Sequence, residues 1–250
     1  MDILDLVQCI RRTNDYERRI HGAMRLHLNA HMDKWVNDNL PDKLNNNFFA
    51  PLAGVSREDI ELAVRMQKQT NHSALMFRMT RPMDEALVRA YGFETEVTHV
   101  MALLEDNSAA WRTNPDILIR DNQQEDLTAA MLDVSTTPYE YRAAALRSMK
   151  QAVQVSKKHP EYHWLFAYQN GKPVGSCYAL CKNGVIEMDD LEVHEAHRGQ
   201  YIATTLLKHI VQNFEGTMYL HADAAASVHD MYARMGFTTV DTLYDYYLEW

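Results

Sequence analysis

The chain has 250 residues, 46% of them apolar, and a formal net charge of −9. That length supports one large domain or two small ones, and the acidic balance disfavours partners that present a phosphate backbone or an anionic membrane surface. The opening MDILDLVQCIRR puts acidic residues where a secretory signal needs positive charge, and no run approaches the roughly 18 apolar residues of a membrane span, so a cytoplasmic protein is expected.

Taken from the N-terminus, residues 6–35 read as helix. Residues 57–70, REDIELAVRMQKQT, follow as a second helix, and 73–79, SALMFRM, as a strand. Gly92-Phe93 then opens a further strand that ends near residue 106. The polar segment EDNSAAWRTNP, closing on Pro115, has the composition of a linker. Beyond it, 116–120 reads as a strand, and 123–134 and 139–155 as helices.

Asn170-Gly171 and Asn183-Gly184 mark two type I′ turns, so three antiparallel strands follow one another: 163–169, 172–182 and 185–193. After LEVHEAHRGQY, the residues Ile202, Leu206, Leu207, Ile210, Val211 and Phe214 share one helical face. A strand at 217–222, a helix at 226–235, Gly236 as its cap and an alternating strand at 238–250 complete the chain. The fold class expected is α/β (α+β), with a mixed, largely antiparallel central sheet flanked by helices.

At one fixed offset Gly92-Phe93 lies under Gly236-Phe237, and 57–70 and 73–79 lie without a gap under 201–214 and 217–223. The chain is therefore expected to hold two similar halves: a degenerate domain over 1–106, a linker over 107–115 and a second domain over 116–250. The match fades before residue 47, so the first half is expected to lack its first strand and helices.

The stretch between the third meander strand and the long helix holds two histidines, His194 and His197. They are three apart in a strand-to-helix connection, whereas a helical zinc motif places them four apart, and no cysteine is near in sequence. No metal is expected. Cys177 and Cys181 share a strand face about 13 Å apart, too far for a disulfide. An anion is the better match: a helix N-terminus leaves N–H groups without partners, Arg198 adds a fixed charge, and Gly199 lets the backbone bend.

The order of elements from 116 to 250, the loop Arg198-Gly199-Gln200-Tyr201-Ile202-Ala203 and the motif Tyr232-x-x-x-Gly236-Phe237 resemble the acetyltransferases of the GNAT superfamily. The resemblance implies that acetyl-CoA is the cosubstrate. Its pyrophosphate would lie on Arg198, Gly199, Gln200, Tyr201, Ile202, Ala203 and Thr204, and its acetyl and pantetheine groups along Leu191, Glu192 and Val193. It also implies that Tyr232 protonates the departing thiolate and that Glu187 is a candidate base. Glu187 and Asp189 are expected to share a strand face with Leu191 and Val193.

Two departures stand out: Tyr201 replaces the family's central loop glycine, and Ala225 stands where an asparagine often touches the cofactor. Under Arg198 the first half has Gly54, and under Tyr232 it has Val88, so no second cofactor site is expected. The reaction implied is N-acetyl transfer to a primary amine of a small molecule or peptide by direct attack. The alternatives are a non-catalytic acyl-CoA-binding or protein-interaction module, and transfer of an aminoacyl or longer acyl group.

Overall fold

The computed structural model describes residues 1–40, 44–70, 74–121, 134 and 142–250. The first series of elements is α1 (Ile3–Ile20), β1 (Met24–Asn29), β2 (Met32–Val36), β3 (Phe49–Pro51), α2 (Arg57–Gln69), β4 (Ala74–Met79), α3 (Glu85–Tyr91) and β5 (Glu94–Ala102). The second is β6 (Leu118–Asp121), α4 (Arg142–Lys158), β7 (Tyr162–Gln169), β8 (Lys172–Lys182), β9 (Val185–Val193), α5 (Ile202–Asn213), β10 (Thr217–Asp223), α6 (Ser227–Arg234) and β11 (Thr238–Glu249). The fold is mixed α+β with mostly antiparallel pairing. The helix expected over 123–134 lies outside the described residues, apart from Val134.

Apart from β6, the second series repeats the first among the described residues: helix, three strands, helix, strand, helix, strand. The repeat thus begins earlier than the sequence match, at α1: the first half keeps a helix before its three strands, while among its described residues no strand corresponding to β6 precedes that helix. Residues 6–35 are not one helix either. Helix α1 stops at His21, Gly22 turns the chain at φ 91°, and β1 and β2 form a hairpin. Met24, Leu26 and Leu28 alternate with polar residues at strand spacing. Their turn is made by the Asn29 side chain, which accepts from His31 N–H at 2.8 Å.

The described chain forms two compact units with interleaved boundaries. One takes Met1–His21, Met101–Leu220 and Met231–Thr238; the other takes Gly22–Val100, His221–Asp230 and Thr239–Trp250. The expected cuts at 106 and 116 do not follow these lines.

In the first unit the strands run β10-β9-β8-β7-β6, with β9–β10 parallel and the others antiparallel. Asn170 and Asn183 take positive φ before Gly171 and Gly184, as type I′ turns require. On one face Tyr162, Trp164, Phe166, Tyr178 and Leu180 pack against Ala152, Val153 and Val155 of α4 and against Tyr16 and Ile20 of α1. Helix α1 is held over the β8–β9 turn by Thr13, whose hydroxyl donates to the Lys182 carbonyl and accepts from Asn183.

In the second unit the strands run β1-β2-β3-β4-β11-β5, with β3–β4 parallel. Ile60 and Ala63 of α2 pack on Phe49, Leu75, Phe77 and Tyr246. Strand β11 joins β4 antiparallel, and Arg78 stands directly opposite Asp245. The guanidinium grips the carboxylate with two bonds, Nε–Oδ1 at 2.8 Å and Nη2–Oδ2 at 2.6 Å. Asp245 is 2% exposed. Removing one partner leaves a buried charge uncompensated, which costs about 3–5 kcal/mol. Asp245→Ala is therefore expected to lower the urea midpoint sharply, and Arg78→Met with Asp245→Leu to recover most of the loss. Equal midpoints for wild type and Asp245→Ala would show that the pair does not hold β11.

Candidate functional site

The site begins with a break in pairing. Between Tyr178↔Asp189 and Ser176↔Glu192, β8 supplies one residue and β9 two, and Asp190 takes φ 50° to accommodate the extra residue. Such a bulge bends the strand and resets its alternation. Glu187, Asp189 and Glu192 face the same way, because their partners Leu180, Tyr178 and Ser176 alternate regularly. Val193, opposite Gly175, lies on the other face. The expected common face for Glu187, Asp189, Leu191 and Val193 is thereby corrected: the bulge inserts a residue that sequence spacing does not announce.

The parallel pairing of β9 with β10 covers only Val185/Thr217, Ile186/Met218 and Glu187/Tyr219, although both strands run on. Beyond Glu187 the two strands part. His194 N–H donates to the Val174 carbonyl on β8 at 2.9 Å. Successive N–H groups on a strand point to opposite edges, so the Val193 N–H is turned toward the edge that β10 has left. Leu191, Glu192 and Val193 are half-buried along that opening.

The start of α5 closes on the same place. Ile202, 1% exposed, packs so near Gly175 that a Cβ there would stand 2.8 Å from its side chain. Gly199 has φ 76°, and Tyr201, the N-cap, has φ 59°. The tyrosine thus adopts the left-handed backbone that a glycine would take without strain. It offers no side-chain cap and the first turn holds no acidic residue. Among the described residues the N–H groups of Ile202, Ala203 and Thr204 have no hydrogen-bond partner.

Arg198 is exposed, with Nε 3.4 Å from the Val193 carbonyl. Gln200 is held through its carbonyl, which accepts from Asn114 Nδ2 at 3.1 Å, and the Asn114 N–H donates to Thr205 Oγ1 at 3.0 Å. The expected linker therefore clamps the loop. The Arg112 guanidinium lies 4.6 Å from the Tyr201 ring centre.

The corresponding helix of the other unit, α2, has the opposite character. Ser56 and Asp59 cap each other's N–H groups, and Glu58 and Asp59 make its first turn acidic. That end has the Ser56 and Asp59 N–H groups already bonded, and its two carboxylates disfavour an anion.

Tyr232 on α6 is 7% exposed, and its phenol is pushed up to about 12 by burial first, then by Asp189 and Cys177. Among the described residues its hydroxyl makes no hydrogen bond. Glu187, 4% exposed, is held well above the usual carboxylate range by burial, then by Glu17 and Asp189, while Arg18 and a hydrogen bond with Tyr219 oppose this. The Tyr219 hydroxyl in turn donates to Asn14 Oδ1 at 2.6 Å.

Helix α1 thus brings Asn14, Glu17 and Arg18 to the candidate base, a contribution the sequence reading missed. The signal was present: Leu6, Ile10, Thr13, Asn14 and Glu17 lie on one helical stripe, and two of its members are buried polar residues. The histidines of the loop have local tasks. His194 Nδ1 accepts from the Ala196 N–H, and His197 Nδ1 contacts Gln169 Oε1 at 3.0 Å. Cys177 and Cys181 are free thiols, the first fully buried.

Residues 124–237 match the model of the acetyltransferase (GNAT) family. A search of curated proteins finds no match. Among solved structures, a functionally unknown conserved protein from Staphylococcus epidermidis ATCC 12228 superposes with a TM-score of 0.77 at 21% identity, over 91% of this chain and 94% of that one. A GCN5-related N-acetyltransferase from Kribbella flavida does so with 0.64 at 12% identity, over 95% and 94%. A tandem GNAT protein from the clavulanic acid biosynthesis pathway gives 0.57 at 12% identity, over 87% and 78%. The chain carries a GNAT-family domain, and its fold is that of these neighbours.

The seat of α5 can be tested directly. Gly175→Ala drives a methyl against Ile202 and to 3.1 Å from the Glu192 carbonyl, and such overpacking costs about 1–3 kcal/mol. A lowered urea midpoint is expected; an unchanged one would show that α5 does not sit tightly on β8.

Proposed function

We propose that the GNAT-family domain binds acetyl-CoA and transfers its acetyl group to a primary amine by direct attack. It would work in a tandem protein whose first half has no cofactor of its own. The observation that carries this reading is the uncapped N-terminus of α5, with Arg198 and the left-handed Gly199 and Tyr201, set beside the parting of β9 from β10. A helix end of this kind suits a pyrophosphate, which satisfies its N–H groups and meets its partial positive charge. The self-capped α2 is the reason to assign no second site.

Acetyl-CoA, when bound, supplies an activated thioester. The Arg198 guanidinium and the N–H groups of Ile202, Ala203 and Thr204 hold the phosphates, with Gly199, Gln200 and Tyr201 shaping the loop. The Val193 N–H, turned to the open edge, polarises the acetyl carbonyl, and Leu191 and Glu192 line the pantetheine. As the amine nitrogen bonds to the carbonyl carbon and the carbon–sulfur bond breaks, one proton leaves the nitrogen and one reaches the sulfur. Glu187 accepts the first, because a carboxylate held above the usual range by burial binds a proton more strongly than an ordinary one. Tyr232 donates the second, since a phenol near 12 stays protonated throughout the neutral range.

Titration of acetyl-CoA into the wild type and Arg198→Glu tests the binding half. Loss of a charge-assisted contact worth about 1.5–3 kcal/mol, with a repulsive charge put in its place, should weaken affinity about 100-fold or more. Absence of binding by the wild type would end the reading. A screen of primary amines for thiol release tests the chemical half. Tyr232→Phe should keep the wild-type affinity for acetyl-CoA and lower turnover by about 10²–10⁴-fold. An equal rate for the two proteins would remove Tyr232 from the mechanism.

A further inference from the structure

We propose that Arg112, carried on the ring of Tyr201, is a second phosphate-binding guanidinium of the acetyl-CoA site. The inference rests on the acetyl-CoA reading and assigns a role to a residue outside the matched segment 124–237.

Arg112 is exposed, yet the backbone that carries it is fixed on both sides. Trp111, 8% exposed, stacks on Phe237 and donates its indole N–H to the Met235 carbonyl at 3.0 Å. Asn114 is bonded to Gln200 and Thr205 at the start of α5. Between these two anchors, the guanidinium sits 4.6 Å from the centre of the Tyr201 ring. Among the described residues it makes no ion pair with a carboxylate, and the ring it rests on belongs to the same loop as Arg198.

This arrangement gives Tyr201 a purpose. A tyrosine in the left-handed region bears a backbone strain that glycine would not. A cation over an exposed aromatic ring returns part of this, and the flat guanidinium keeps its N–H edge free while its face rests on the ring. Tyr201 remains 42% exposed, so a ligand can reach the pair. The loop exchanges the close backbone approach of a glycine for a second, oriented positive charge. Phosphate groups are the ligand chemistry that two guanidinium groups and a helix N-terminus select together.

The test is calorimetric titration of CoA into wild type, Arg198→Ala, Arg112→Ala, Arg112→Lys, Tyr201→Gly and Tyr201→Gly/Arg112→Ala, with a thermal melt of each to confirm folding. Arg112→Ala should weaken CoA binding about tenfold at low salt and less at high salt, with Arg112→Lys in between. In the Tyr201→Gly background the penalty for removing Arg112 should shrink, because the ring no longer holds it. Repeating the series with 3′-dephospho-CoA locates the contact: a penalty that persists assigns Arg112 to the pyrophosphate, and one that vanishes assigns it to the 3′-phosphate. Binding by Arg112→Ala within twofold of wild type, while Arg198→Ala is weakened, overturns this inference and leaves the acetyl-CoA reading standing. A wild type that binds no CoA overturns both.

Discussion

Everything that distinguishes the candidate site follows from three residue pairs. Strands β9 and β10 are parallel neighbours from Val185/Thr217 to Glu187/Tyr219 and no further. A parallel pair that continued would consume the N–H groups of the second half of β9 in its ladder. Because it stops, the Val193 N–H is turned to an open edge. The bulge at Asp190 supports the parting by bending β9 and increasing its local twist. Glu187 marks the last paired position, which is why it is buried and yet at the mouth of the opening. The helix that follows can then bring its N-terminus to the gap, provided that Gly175 yields the space which Ile202 occupies.

The two helices at equivalent places in the repeat show how few residues separate a satisfied helix end from a receptive one. Helix α2 starts with Ser-Arg-Glu-Asp, and its Ser56 and Asp59 side chains meet each other's N–H groups. Helix α5 starts with Tyr-Ile-Ala-Thr, and nothing in its first turn competes for them. An external anion at α2 would have to displace bonds already made and approach two carboxylates. At α5 it would meet positive charge from Arg198 and the helix itself. The same backbone plan therefore ends in a self-capped helix in one half and in an uncapped one in the other.

Much of this was legible in the sequence because it rests on local rules. The two Asn-Gly turns, the amphipathic stripe of α5 and the final strand needed no tertiary information. What escaped reading depends on partners distant in sequence. The β1–β2 hairpin turns on Asn29 without a glycine, so its alternation was absorbed into the preceding helix. The Asp190 bulge is defined only against β8, and an aspartate at positive φ leaves no trace in spacing. Asn14 was hidden because its role lies with Tyr219, 205 residues away. Arg112 sits in a segment whose polarity reads as a linker until Trp111 and Asn114 are seen to be anchored.

The interleaving of the units carries a cost during synthesis. Strand β4 acquires its antiparallel neighbour β11 only after a further stretch of chain has been made; Arg78 and Asp245 are separated by 167 residues. Until then one edge of β4, with its buried Leu75, Met76 and Phe77, has unpaired backbone groups on a nascent chain. Such edges invite pairing with other molecules, and loops of this length close slowly. An arginine near the end of the strand, awaiting a distant carboxylate, acts as a gatekeeper in that interval: an unmatched charge makes premature pairing with an apolar neighbour unfavourable, and the carboxylate of β11 relieves it.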